Sequence, residues 1–336
     1  MRINEYGNGR TAVIIVAYNN PVELETLIRS LYIMNSNELK LFVLDNSDDE
    51  KSIINNHIIS NYYKRGSYWY FKPSKNLGSA FGFHIAMKKA FYENYTWLWL
   101  LDQDMKVDKN SLIDLVDFAL TKEYLVATQI SRCIITGNEY PEIAELKYLG
   151  KRKSVIIPTK KFLCPTHGLL LNRRIIEKIG FYDYKNYFVG LEDFDYCMRI
   201  YKVKEKIGFD KESFIYHPSP ENNIKRKRDN ANIENPLIEK MRKLKKIINF
   251  IFPATYPVIY VNSRPNYDMK VTYSCSYFIT KYYSLPLASY SFVTYIITLL
   301  LKKIILYSKV EFSKSYIEAY NGFINGYKDR KKIKVW

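Results

Sequence analysis

Through the first two thirds of the chain, apolar runs of strand length alternate with stretches whose apolar positions recur every three or four residues. TAVIIVAYNN (residues 11–20) is a β-branched run that stops at polar residues. Pro21 then suits the first turn of a helix in which Leu24, Leu27, Ile28 and Leu31 share one face. LKLFVLDNSDDE (39–50) repeats the pattern, a buried strand that ends in acidic and small polar residues. KSIINNHIISNYY reads as a second helix and YWYFKP (68–73) as a short third strand. A further helix runs through FGFHIAMKKAFYENY, with Phe83, Met87, Ala90 and Phe91 on one stripe. WLWLL (97–101) is the next strand, followed by a helix in NSLIDLVDFAL and a strand in LVATQI.

This alternation predicts an α/β fold with parallel strands and crossover helices on both faces. Near-continuous apolar strands agree, because a parallel sheet is buried on both sides. Ligands of such sheets sit beyond the carboxyl ends of the strands. Those ends carry Tyr18 and Asn19, Asp45 and Asn46, and Asp102 and Asp104, so three strands deliver polar groups to one edge. Trp97 and Trp99 precede that edge and are expected in the core.

Beyond about residue 220 the pattern stops. Residues 1–220 carry 30 Lys+Arg against 26 Asp+Glu, whereas residues 221–336 carry 21 against 8, so most of the net charge of +17 lies in the last third. The expected division is an α/β domain over 1–225 and a basic, aromatic-rich, mainly helical region over 226–336. A basic field of this kind suits anionic lipid, a pyrophosphate-bearing substrate or nucleic acid, or is a solvated surface alone. SYSFVTYIITLLLKKIILYSKV (289–310) is interrupted by Lys302 and Lys303 short of the ~20 apolar residues that a membrane span needs. It reads either as a helix lying in the membrane interface or as a buried helix. The four cysteines form no CxxC pair, which argues against a zinc ribbon or a disulfide framework. MRINEYGNGR is polar, so no secretory signal is expected and a reducing cytosol is the default compartment.

The candidate chemistry is acidic. Asp102 and Asp104, one residue apart at a strand end, could share a face and hold a hard cation such as Mg²⁺ or Mn²⁺. NLGSAFGFH (76–84) puts Gly78 and Gly82 where a strand turns into a helix, either for close approach of a ligand or for helix packing. It is neither a P-loop nor GxGxxG. GLEDFDYCMR (190–199) delivers Glu192, Asp193 and Asp195 to a helix start, where the dipole favours carboxylates. Asp195 and Arg199 are spaced for an i,i+4 ion pair, which leaves Glu192 and Asp193 without a local partner and one of them free as a general base. His217, in FIYHPSP, is structural or a metal ligand; His57 and His84 sit inside helical patterns and are not expected to be ligands.

In order and spacing, AVIIVAYNN, VLDNSDD, KNLGSAFGFHIAM, WLLDQDM, GLLLNRRIIEKIGFYD, EDFDYCMR and IYH resemble the family 2 glycosyltransferases of the GT-A fold. The resemblance covers about residues 11–220. Within that family the chain looks like the bacterial rhamnosyltransferase and galactofuranosyltransferase branch, through DQD and the glycine-rich stretch at 78–83. It departs from that branch in having ITKYYSLPLAS where relatives often carry YY-x-x-RN.

The resemblance implies roles. Tyr18, Asn19, Asp45, Asn76, Gly78 and Asp102 would bind the donor nucleotide. Asp104, with Asp102 and His217, would hold Mn²⁺ or Mg²⁺. Asp193 would be the catalytic base and Glu192 its acceptor-orienting neighbour, with His167 and Gly168 near the acceptor. The implied reaction is an inverting transfer of a sugar, galactofuranose or rhamnose favoured, from a UDP- or dTDP-sugar to a hydroxyl of a lipid-linked saccharide. Such an enzyme of capsule, O-antigen or cell-wall polysaccharide synthesis would work peripherally at the cytoplasmic face of the cell membrane. Its basic tail would meet anionic lipid, the acceptor or another subunit, and no nucleic acid is expected as a partner. The competing readings are a basic nucleic-acid-binding protein and a non-catalytic membrane-surface scaffold.

Overall fold

Each apolar run named above forms a strand. The computed structural model describes residues 10–34, 39–133, 143–145, 161–163, 168–217, 265–282, 285–306 and 312–331. Within it, β1 (Thr11–Ala17), β2 (Lys40–Asp45), β3 (Tyr68–Phe71) and β4 (Trp97–Asp102) run parallel, β1 lying between β2 and β4. Residues 13, 15 and 17 of β1 share a core with α1 (Pro21–Ile33) and α2 (Asp49–Tyr62), as do Trp97, Trp99 and Leu101 of β4. α3 (Ser79–Tyr92) takes the other face, since a Cβ on Gly82 would come within 2.7 Å of the Val16 side chain. Gly82 therefore serves close helix–strand packing, one of the two roles its sequence context allowed.

The chain continues through β5 (Lys106–Val107), α4 (Ser111–Thr121), β6 (Val126–Cys133), β7 (Ile143–Glu145), β8 (Lys161–Leu163), β9 (Leu169–Asn172), α5 (Arg173–Ile179), α6 (Glu192–Lys202) and β10 (Ile207–His217). The main sheet has eight strands in the order β3-β2-β1-β4-β9-β6-β10-β5, and β7 pairs with β8 separately. It is not wholly parallel: β9 runs antiparallel to β4 and β6, and β5 antiparallel to β10. The register places Ala17 beside Asp45 and Val16 beside Asp102, which aligns the polar strand ends in one row.

The described residues fall into two compact units. One holds the α/β elements through Ala144, then Leu163–Lys185, and resumes at Glu192; the other holds Glu145–Phe162 and Asn186–Leu191 together with α7 (Pro265–Tyr282), α8 (Leu285–Leu306) and α9 (Phe312–Lys331). In this second unit Tyr273 donates to Asn186 Oδ1 at 2.9 Å, Ser274 to the Asn186 carbonyl at 3.2 Å, and the Tyr187 ring meets Tyr277 edge-on. The basic stretch at 225–252 lies outside the described residues, and no described helix is long and apolar enough to cross a membrane.

Candidate active site

Three turns at the carboxyl edge of the sheet are tied to one another through side chains. Asn19, in the left-handed region at φ 50°, donates its N–H to Ser47 Oγ at 2.7 Å and accepts from the Asp48 N–H at 2.9 Å. Asn46 donates to the Gly78 carbonyl at 3.0 Å and accepts from the Leu77 N–H at 3.0 Å. Gly78 itself sits at φ 89°, a conformation that glycine adopts without strain, and its N–H donates to Asn76 Oδ1 at 2.8 Å. Gln103, the middle residue of DQD, both accepts from the Tyr18 N–H at 2.7 Å and donates to the Tyr18 carbonyl at 2.8 Å. These bonds leave the Tyr18 ring substantially exposed above the sheet edge.

Asp45 is fully buried. Its carboxylate accepts from the Ser47 N–H and from Asn55 Nδ2, both at 2.8 Å, and from the Tyr70 hydroxyl at 2.5 Å. Burial, and then the bond to Asp45, push the Tyr70 hydroxyl far up, so it stays a donor at any working pH. The structure thus places Asp45 as the organiser of the β2–α2 turn, among polar partners.

Asp102, Asp104 and His217 come together from β4, the turn after it and the end of β10. One ligand atom of each lies within 4.8 Å of the others, and His217 Nε2 is 3.2 Å from Asp104 Oδ1. Two carboxylate oxygens and one imidazole nitrogen, all partly exposed, make a donor set that fits a divalent cation. His217 reaches it because β10 extends over eleven residues, longer than FIYH alone suggests, with a register shift between Asp210 and Phe214.

Glu192 and Asp193 open α6 as expected, and Arg199 Nε bonds Asp195 Oδ2 at 2.9 Å. The expectation concerned local partners only, and contacts from other segments hold both carboxylates. Ser79, at the start of α3, donates to Glu192 Oε1, and Tyr182 donates to Asp193 Oδ1 at 2.9 Å. Both partners come from other segments, which helical spacing within α6 does not report. Asp193 is held well above the usual carboxylate range by loss of solvent first, then by the charges of Glu192 and Asp102, with the Tyr182 bond opposing them. The Asp102 charge therefore reaches Asp193, which places the candidate base by the acidic trio.

Gly168 stands at φ 64° immediately before β9, and a Cβ there would meet Ile215 at 2.5 Å. His167 lies outside the described residues. His84 bonds the Tyr182 carbonyl at 2.7 Å, with burial lowering its pKa, in keeping with a structural histidine. Gln103, Ser79, Tyr70 and Tyr182 were not singled out from sequence. Gln103 carried a signal, its place between two candidate ligands; Tyr70 carried only strand alternation.

An α/β sheet with acidic residues at its carboxyl edge and a carboxylate at a helix start nearby is the arrangement that the resemblance to GT-A sugar-transferring enzymes implied. The glycosyl transferase family 2 model matches residues 12–180, just over half of the chain, and the protein belongs to that family. It is a glycosyltransferase. Among solved structures it is similar to S. aureus TarS 1–349, at 14% identity and a TM-score of 0.49, over 96% of this chain and 91% of that one. The same TarS fragment in complex with UDP-GlcNAc gives 15% and 0.49, over 94% and 81%. GalNAc-T7 with UDP, GalNAc and Mn²⁺ gives 15% and 0.45, over 63% and 44%. No curated protein matches the chain at a significant level. Membership of the branch of rhamnosyl- and galactofuranosyltransferases is not established by these matches.

Proposed function

We propose that the protein is an inverting, metal-dependent transferase that moves a sugar, galactofuranose or rhamnose favoured, from UDP or dTDP to a hydroxyl of a lipid-linked saccharide. The observation that carries this reading is the gathering of Asp102, Asp104 and His217 within 4.8 Å at the edge to which Asp193 is electrostatically linked. Asp102, Asp104 and His217 would hold Mn²⁺ or Mg²⁺, which when bound offsets negative charge on a departing nucleoside diphosphate. Tyr18, exposed and fixed by Gln103, presents a ring to a nucleobase, while Asn19, Asn46, Asn76 and Gly78 keep the surrounding turns rigid. Asp193 takes the proton of the acceptor hydroxyl as its oxygen attacks the anomeric carbon, and Glu192 orients the acceptor. No nucleophile from the protein is required.

A panel of nucleotides tested for Mn²⁺-dependent thermal stabilisation checks the donor. Stabilisation by UDP with none by dTDP favours galactofuranose, and the reverse favours rhamnose. If neither nucleotide raises the Tm, the donor site is not where this reading puts it.

The same reading sets the enzyme on the cytoplasmic face of the membrane, in polysaccharide synthesis. α8 supports it. On one side Tyr295 bonds Thr272 of α7 at 2.8 Å, and Phe292, next to buried Ser291, packs on Phe323 of α9. On another side Tyr290, Val293, Ile297 and Leu300, spaced by three and four, are exposed, with Val293 at 54%. A helix apolar on two sides, with Lys302 and Lys303 in its sequence near the C-terminal end, suits the surface of an anionic bilayer. Sedimentation with phosphatidylglycerol vesicles should fall at least fivefold in the Val293→Glu, Ile297→Glu double variant, with turnover on a soluble acceptor unchanged. Unaltered sedimentation would remove α8 from the membrane contact.

A further inference from the structure

Asp193 is surrounded by features that would impair a base unless something orients it. Glu192 precedes it on α6, Asp102 of β4 adds a second like charge, and its solvent is reduced. The Tyr182 hydroxyl, which donates to Oδ1 at 2.9 Å, favours the ionised form of Asp193. Tyr182 is 3% exposed, so this donor has no water to exchange with.

The ring that carries it is held by two aromatic neighbours, and its backbone by a third residue. It stacks on Tyr196 at 4.6 Å between centroids and 11° between planes, and on Phe83 of α3 at 5.4 Å and 30°. The Tyr182 carbonyl bonds His84. The loop before it is held by α6 itself: Tyr196 donates to the Gly180 carbonyl at 3.1 Å, and Arg199 Nη1 donates to the carbonyls of Ile179 and Phe181 at 2.8 and 2.9 Å. The helix that bears Asp193 thus also places the hydroxyl that aims it. Burial and the Asp193 charge keep that hydroxyl protonated throughout the working range.

We propose that Tyr182 is a positioning residue for the transfer reaction: its hydroxyl captures Asp193 Oδ1 and leaves Oδ2 as the oxygen that receives the acceptor's proton. The role is separate from that of Ser79, which bonds Glu192 and so keeps the neighbouring carboxylate turned to a different donor. The inference rests on Asp193 being the base. It adds that one of the two carboxylate oxygens is reserved, which makes proton transfer directional.

Tyr182→Phe keeps the stacked ring and removes only the hydroxyl. Its kcat should fall ten- to a hundredfold, with donor KM within twofold of wild type. Removing a donor to the ionised carboxylate disfavours that form, so the acid limb of the kcat profile should move to higher pH. Tyr196→Phe is the comparison: it keeps the stacked ring and the Tyr182 hydroxyl but loses the bond to Gly180, so it should lower Tm and move the acid limb less than Tyr182→Phe does. An acid limb unmoved in Tyr182→Phe, or a kcat within twofold of wild type, overturns the positioning role. The two readings fail separately: an active Asp193→Asn variant removes the base assignment, whereas an inactive one with an indifferent Tyr182→Phe removes only this inference.

Discussion

The α/β unit and the helical unit place their polar groups in opposite ways. In the first, β1, β2 and β4 are apolar through most of their length and turn polar where they end, so that Asp45, Asn46 and Asp102 collect along one edge of the sheet. In the second, Ser274, Ser276 and Thr280 are buried within α7, and their hydroxyls answer to nearby carbonyls: Ser276 bonds the Ala319 carbonyl at 2.6 Å and Thr280 that of Ser276 at 2.8 Å. Gly322 and Gly326, four apart on α9, leave room for α7, since a Cβ on either would come within 2.5 Å of the carbonyl of Tyr273 or Tyr277. One unit separates core from chemistry along β1, β2 and β4; the other joins helices by close backbone approach. The first arrangement tolerates changes at its edge without unfolding, and the second does not tolerate added bulk at its seam.

The largest effects should therefore come from edge substitutions that leave the frame intact. Asp193→Asn is expected to lower kcat by about 10²- to 10⁴-fold, the usual range for loss of a general base, with donor binding retained. Asp104→Ala should abolish transfer as well, but with metal-dependent donor binding weakened. Steady-state kinetics beside nucleotide titrations separate the two. Equal loss of donor binding in both would mean that Asp104 and Asp193 act as one site, contrary to the division drawn here.

Next in size is the seam. Gly326→Val forces a branched side chain toward the Tyr277 carbonyl, and overpacking of this kind costs about 1–3 kcal/mol. A lowered Tm with nucleotide stabilisation still present is the expected result. A valine at an exposed position of α9, as in Tyr320→Val, removes a ring that stacks on Tyr316 at 6.4 Å and should lower Tm by less.

The contrast also explains what sequence could reveal. β1, β2 and β4 were legible because burial on both faces demands an unbroken apolar run, and Asp102 stood out because it broke one. β9 was not expected as an antiparallel insertion, since LLLN carries no mark of direction. Asp195 with Arg199 was readable from helical spacing, whereas Tyr182 with Asp193 and Ser79 with Glu192 were not, because those pairs join different segments. In the helical unit apolar periodicity was the wrong signal to seek. The packing device is the glycine pair in GFING, four residues apart in a helix, and an aromatic-rich composition drew attention away from it.

The smallest expected effect tests whether the edge is stiff by design. Gln103 bridges the Tyr18 N–H and carbonyl with both ends of its amide, although Tyr18 and Gln103 are exposed enough for water to replace it. Gln103→Ala should therefore cost about 1 kcal/mol or less in stability, since the freed backbone groups regain water. Its effect should appear in the donor instead: a KM raised a few-fold, because the Tyr18 ring is no longer held at one height above the sheet, with kcat unchanged. Gln103→Glu should be worse than Ala, since it keeps the acceptor for the Tyr18 N–H but loses the donor and adds a third negative charge between Asp102 and Asp104. If Ala and Glu raise KM equally, charge at this edge is already neutralised and stiffness alone matters. If Ala lowers kcat as well, the Tyr18 turn takes part in the chemical step and is more than a platform for the nucleotide.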